Sequence, residues 1–414
     1  MNYEEALRYI HETPKFSREL GNRLLKKLLG CLENPQEGLR FIHIAGTNGK
    51  GSAAAMLAEI LRCSGFRTGL FTSPYIERFN ERIRVDGAEI PDTELARIIT
   101  RLRDTIEKAD APVSEFALDT AAAFCYFQAC GCDVVVLETG LGGRLDATNV
   151  IRENLVTILT SIGLDHTQYL GETIQEITAE KCGIFKPGCP VVTAPRQTAE
   201  AIAVIRRRAA EMGILLYETE PAEKVSGGVC IRGTVYPLGL QGSFQADNAA
   251  TAVEAVRVLR KRGMNIPESA VRRGLAQVKH MARFERFGDK VILDGCHNVQ
   301  AAVELCSSLS ELERPVYLCT AMMEDKDYQG CARILARAAA GVVATQLEMP
   351  RCCPAALLAQ AFMACGIPAA AEASPEAALE KALALAGKEG VVCICGSLFL
   401  AGRLRPLLRK NIEI

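Results

Sequence analysis

The chain has 414 residues, 49% of them hydrophobic, and a formal net charge of −1, which is material for substantial cores but too much chain for one, so two domains are expected. A near-neutral balance with no basic run interleaved with aromatics leaves no field to gather a polyanion and argues against nucleic-acid binding. No apolar run reaches the roughly 18 residues of a membrane span, and the opening MNYEEALRYIHETPKF carries no export pattern; a soluble, cytoplasmic protein with no membrane partner is expected, its seventeen cysteines reduced and mostly buried.

Short β-branched runs alternate with amphipathic stretches, the pattern of a parallel sheet covered by helices. Strands are expected over 41–45, 69–72, 133–138, 156–162 and 190–194, and helices over 52–64, 116–130 and 173–182, the last capped by Gly183. Residues 214–240 read as short strands punctuated by Gly227-Gly228, Gly233 and Pro237, an antiparallel edge of the same sheet. Helices over 245–262 and 267–278 follow. The strand pattern then restarts at 290–293, 316–320, 341–345 and 390–394, separated by Ala-rich helices. The expected fold is α/β: a mostly parallel sheet domain bearing a phosphate loop over residues 1–282, then a smaller Rossmann-like α/β domain over 283–414.

The strongest local signal is Phe41-Ile42-His43-Ile44-Ala45 running into Gly46-Thr47-Asn48-Gly49-Lys50-Gly51-Ser52 and then an apolar helix. Glycines let the backbone fold so that N–H groups point at phosphate oxygens, the helix start adds its dipole, and Lys50 neutralises the β and γ charges. The run departs from GxxxxGK[ST], because Ile44 stands at the first glycine and Gly51 follows the lysine, with Ser52 supplying a hydroxyl one place later. A glycine-rich turn that merely joins strand to helix is the plainer alternative.

Glu138 ends an apolar strand, at the sheet edge where ligands of doubly wound folds sit. Asp165-His166 follows the next strand in the same way, so Glu138 and His166 together are a candidate Mg²⁺ site, although imidazole is an unusual ligand for that ion. His166 alone reads as a hydrogen-bonded loop histidine, and Lys181, near a helix end, reads by composition as a solvated surface lysine.

Taken together, Gly46–Ser52, Thr72-Ser73-Pro74, Asn80-Glu81-Arg82-Ile83, Leu141-Gly142-Gly143-Arg144-Leu145-Asp146-Ala147-Thr148-Asn149, Asp165-His166, Glu180-Lys181, Asp294-Gly295-Cys296-His297-Asn298 and Asp325-Lys326-Asp327 resemble, in order, the Mur-ligase superfamily, most closely its folylpolyglutamate and dihydrofolate synthase branch. The resemblance runs from about residue 40 to the end. It implies an ATP-dependent ligase that adds L-glutamate to a folate or to dihydropteroate through an acyl phosphate, acting as a monomer. It further implies that Thr47, Asn48, Gly49, Lys50, Gly51 and Ser52 hold ATP, and that Ser73, Glu138, His166 and a carbamylated Lys181 hold two Mg²⁺ ions. Asn248 and Arg283 are expected to reach the nucleotide, with Asp294 and His297 contributed by the smaller domain. Lys50, Lys181, His166 and Arg283 are then the catalytic set, and Asp325, Lys326 or Ser397 the glutamate contacts. A ligase for another acid, such as a cell-wall precursor, is expected to carry a further N-terminal domain, and a nucleotide switch would need no Lys181.

Four positions depart from the family pattern. Tyr75 stands where His usually follows Ser-Pro, Phe244 replaces His before Gln245, Met281-Ala282-Arg283 replaces Pro-Gly-Arg, and Phe116-Ala117 replaces Phe-Glu. Retained Gln245, Asn248 and Arg283 favour intact ATP handling, whereas the changes at 75 and 117 fall on the folate side.

Overall fold

The computed structural model describes residues 1–15 and 21–410, which fall into two compact units: Met1–Gly239 with Ala246–Val278, and Leu240–Gln245 with the chain from Lys279 onward. In the first unit eight strands form one sheet: β1 Phe41–Ala45, β2 Thr68–Phe71, β3 Ile83–Val85, β4 Ala88–Glu89, β5 Val134–Glu138, β6 Val156–Leu159, β7 Val191–Thr193 and β8 Leu216–Glu218. Their order is β4-β3-β2-β5-β1-β6-β7-β8. All pairs from β2 to β8 are parallel, and β3 and β4 add an antiparallel edge. The central strands are buried along their whole length, which is why Val134-Val135-Val136-Leu137 is continuously apolar instead of alternating. Phe41, Phe71, Phe124 and Phe127 belong to one core cluster; Leu159, Ile177, Val191 and Ile205 belong to another.

The reading of 214–240 needs correction. Only Leu216–Glu218 joins the main sheet, and it pairs parallel to β7. The rest folds into a separate antiparallel sheet of β9 Glu223–Val225, β10 Gly228–Ile231 and β11 Thr234–Tyr236. Left-handed residues at Gly227, Arg232 and Gly233 close two tight hairpins, so these strands satisfy their hydrogen bonds on each other.

In the second unit the strands are β12 Glu285–Phe287, β13 Val291–Leu293, β14 Val316–Thr320, β15 Gly341–Thr345, β16 Ala369–Glu372 and β17 Val391–Cys395, in the order β12-β13-β17-β14-β15-β16. Only β12 runs antiparallel. Insertion of the last strand between β13 and β14 creates a switch point, so the loops after β13, β17 and β14 leave the same carboxyl edge. Segment 240–245 belongs here: the Ser243 amide donates to Ser308 Oγ at 2.9 Å. Among the described residues no helix is long and apolar enough to cross a membrane. All the cysteines are free thiols, and most are buried.

Candidate active site

β1 delivers the chain to Gly46, which packs so closely on Thr160 that a Cβ there would lie 1.8 Å from its Oγ1. Gly49 is left-handed (φ +85°), caps the helix Lys50–Cys63, and lies under the Asn248 amide, whose Oδ1 would be 2.3 Å from a Cβ. Side chains are therefore excluded at both positions by conformation and by contact. The intervening residues are tied to the segment after β6. Ser161 O accepts from the amides of Thr47 and Asn48 at 2.8 and 3.2 Å. Thr47 Oγ1 donates to Gly163 O at 3.0 Å and accepts from the Gly163 amide at 3.1 Å. This cross-link fixes the loop that carries Asp165 and His166 to the side of the phosphate loop.

Two lysines meet at the turn. Lys50 Nζ donates to the carbonyls of Gly46 and Thr47, each at 3.1 Å, and Lys181 Nζ donates to the same Gly46 carbonyl at 2.9 Å. Lys181 is not a surface lysine, as composition suggested: its residue is only 3% exposed. Burial, and then the neighbouring charge of Lys50, push its amine down from 10.5 to about 7, against the pull of Asp165 and Asp146.

The run 141–149 explains that burial. Arg144 N donates to Glu180 O at 2.9 Å, the Arg144 guanidinium bonds the Glu180 carboxylate at 2.8 Å, and Asn149 Nδ2 bridges the carbonyls of Arg144 and Gly183 at 3.0 Å each. Gly183 ends the Lys181 helix without a left-handed turn; it is glycine because a Cβ would lie 2.3 Å from Arg144 Cβ. Asp146, which the sequence reading passed over, is a buried hub: its carboxylate accepts from the amides of Gly140, Leu141 and Thr148 and from the Thr148 hydroxyl. The clustered Asp, Thr and Asn at 146, 148 and 149 were the available signal.

Glu138 ends β5, where Ile44 of β1 is its partner in register, and its Oε2 accepts from the Ser73 amide at 3.0 Å. His166 is left-handed (φ 51°), its side chain is 43% exposed, and the adjacent Asp165 carboxylate accepts its backbone amide at 2.8 Å. Lys50 and Lys181 thus meet directly, Glu138 and Ser73 meet each other one strand away, and His166 is attached through Thr47 and Gly163. Among the described residues no group of three or more His, Cys, Asp or Glu is arranged to hold a metal unaided. Of the expected set, the Glu138 carboxylate and the Ser73 hydroxyl are oxygen donors of the kind that Mg²⁺ takes while completing its shell with phosphate and water, and the His166 imidazole is the unusual member.

In the second unit, Asp294 follows β13 and is 5% exposed; its carboxylate accepts from the amides of Phe284 and Cys296, both at 2.8 Å. Burial raises its carboxyl, while the Arg283 charge pulls it back. Arg283 is flanked by two left-handed non-glycine residues, Ala282 and Phe284 (φ 53° each). That backbone is held by Ala282 N donating to Glu285 Oε2 at 3.0 Å and Gly295 N donating to Ala282 O at 2.8 Å. His297 donates from Nδ1 to Gly295 O at 2.8 Å, leaving Nε2 as its other ring nitrogen. Ser397 follows β17 and accepts the Phe399 amide at 3.1 Å; Asp325 lies 3.6 Å from Arg351.

A phosphate loop on a parallel sheet, followed by a second α/β unit, is the architecture of a Mur-type ligase, and residues 282–398 match the family described as Mur ligase, glutamate ligase domain. The chain is 35% identical to the folylpolyglutamate synthase of Lacticaseibacillus casei, over 99% of each chain. It is 33% identical to the dihydrofolate synthase/folylpolyglutamate synthase of Bacillus subtilis, over 98% of this chain and 99% of that one. The solved structure of E. coli FolC in complex with DHPP and ADP superposes with a TM-score of 0.89 at 28% identity, covering 99% of this chain and 98% of the other. The chain belongs to the folylpolyglutamate synthase and dihydrofolate synthase family.

Proposed function

We propose that this protein joins L-glutamate to a folate at the expense of ATP, extending tetrahydrofolate, converting dihydropteroate to dihydrofolate, or both. The observation that carries the reading is the meeting of Lys50 and Lys181 on the Gly46 carbonyl inside a loop whose turns exclude side chains. A glycine-tight turn at a helix start, with the Lys50 ammonium beside it, marks a place for a polyanion.

A carboxylate is a poor electrophile, so the acid substrate attacks the γ-phosphate and becomes an acyl phosphate; the glutamate amine then attacks that carbonyl, and phosphate leaves as the amide forms. Lys50 offsets the charge that gathers on the γ-phosphate during the first step. Thr47, Asn48, Gly49, Gly51 and Ser52 cradle the phosphates, with Asn248 and Arg283 as nucleotide contacts. Asp294 and His297 extend the nucleotide set, and Ser397, Asp325 or Lys326 receive glutamate. Ser73, Glu138 and His166 would hold up to two Mg²⁺ ions, which supply further charge neutralisation at the phosphates when bound. Lys181 fits carbamylation: with its proton affinity lowered to about 7, the neutral amine is available to add CO₂ with loss of a proton, which replaces a crowded ammonium by an anion suited to a cation. The free thiols accord with a cytoplasmic location, and the family resemblance supports a monomer as the working form.

The test is incubation of purified protein with ATP, Mg²⁺ and labelled L-glutamate, with dihydropteroate and tetrahydrofolate offered separately. Label enters at least one folate product if the reading is right; incorporation with neither acid overturns it.

A further inference from the structure

The helix Glu115–Ala129 buries a carboxyl that the reaction above does not use. Asp119 is fully buried, and neither of its oxygens has a hydrogen-bond partner among the described residues. Its ion-pair partner is Arg82, whose Nη1 lies 3.7 Å from Asp119 Oδ2. Arg82 is itself largely enclosed, with its guanidinium 5.3 Å from the centre of the Tyr75 ring and 5.6 Å from that of Phe79. Tyr75 stacks in turn on His11 and shares a 3.3 Å hydrogen bond with it.

This group stands next to the site. The Arg82 carbonyl accepts the Thr72 amide at 3.0 Å, and the following residue, Ser73, donates to Glu138. It therefore lies at the carboxyl end of β2, on the β5 side of β1, whereas Asp165 and His166 follow β6 on the other side. A buried carboxyl without hydrogen bonds is an expensive way to fill a position in a helix whose other buried residues include Leu118, Ala121, Ala122 and Ala123. Burial pushes it up to about 7 even with Arg82 pulling it down. Ala117 stands where the family pattern often has glutamate, and the carboxyl beside Arg82 in this chain is Asp119.

We infer that Asp119 is a positioning residue: it holds the Arg82 guanidinium against Tyr75 and Phe79, and the fixed cation in its aromatic surround receives the carboxylate-bearing end of the acid substrate. The inference rests on the ligase reading above. Its chemistry is that of a carboxylate meeting a planar cation fixed among aromatic rings. Asp119 needs no contact with the substrate.

Steady-state kinetics with Asp119→Asn, Asp119→Leu, Arg82→Met and the Arg82→Met/Asp119→Asn pair test it. Either change at 119 is expected to raise KM for the acid substrate about tenfold while KM for ATP stays within about twofold. Added to Arg82→Met, Asp119→Asn is expected to change nothing further, because its action runs through Arg82. An unchanged acid KM, equal rises in both KM values, or additive effects in the pair would each overturn the inference. So would loss of the fold in both Asp119 variants, which would make Asp119 a determinant of stability and not of affinity. Activity of the parent protein with either acid reports on the ligase reading independently.

Discussion

Lys181→Met removes the buried amine and keeps a side chain of similar length. In the parent, the amine falls from 10.5 to about 7, first through burial and then through Lys50. A shift of that size corresponds to about 5 kcal/mol against the charged form. Between about 7 and 10.5 the unfolded chain binds the proton that the folded chain has released, so parental stability rises with pH across that window and carries the full penalty below it. The substitution also forfeits the hydrogen bond to Gly46 O, a loss of about 1 kcal/mol. In nucleotide-free buffer purged of CO₂, the variant is therefore expected to be more stable than the parent near pH 7 by about 2–4 kcal/mol, with the gap closing as pH approaches 10.5. Urea unfolding over a pH series measures it directly. Bicarbonate should stabilise the parent and leave the variant unmoved, because only the parent can bind CO₂ at that amine. A variant less stable than the parent at pH 7, or a gap that ignores pH, refutes the reasoning. Ligation is expected to be lost in either case.

Gly49→Ala places a Cβ 2.3 Å from Asn248 Oδ1 at a left-handed position, so ADP affinity measured by calorimetry is expected to fall at least about tenfold with the fold retained, since strain there costs about 1–2 kcal/mol before any clash; affinity within twofold contradicts this. Asp294→Ala leaves the amides of Phe284 and Cys296 without their acceptor, and chemical denaturation should reveal a loss of about 2–5 kcal/mol for two orphaned buried donors. A change under about 0.5 kcal/mol would mean that water replaces the carboxylate.

The phosphate loop was legible because its physics is local: a buried strand, glycines at the turn and a helix start are contiguous from Phe41 to Ser52. The parallel strands were legible for a related reason, since burial on both faces makes each a short apolar run. Lys181 was not legible from its neighbours. Its burial depends on Arg144, Asn149 and Gly183 packing the 141–149 loop onto the end of its helix, more than thirty residues away in sequence. Only resemblance marked it. The hairpins at 223–236 misled because short alternating strands look alike whether they extend a sheet or pair among themselves; left-handed Arg232, a conformation its side chain does not announce, helps decide between the two. Asp119 escaped notice for a similar reason, since the residue that gives it meaning, Arg82, lies on another element.

The acyl phosphate is the step on which the account turns, and an isotope test reaches it directly. With ¹⁸O in the carboxylate of the acid substrate, inorganic phosphate released during ligation should carry one ¹⁸O by mass spectrometry, because the oxygen that attacks the γ-phosphate leaves with it when glutamate is joined. Phosphate free of ¹⁸O, with glutamate still incorporated, would contradict the account.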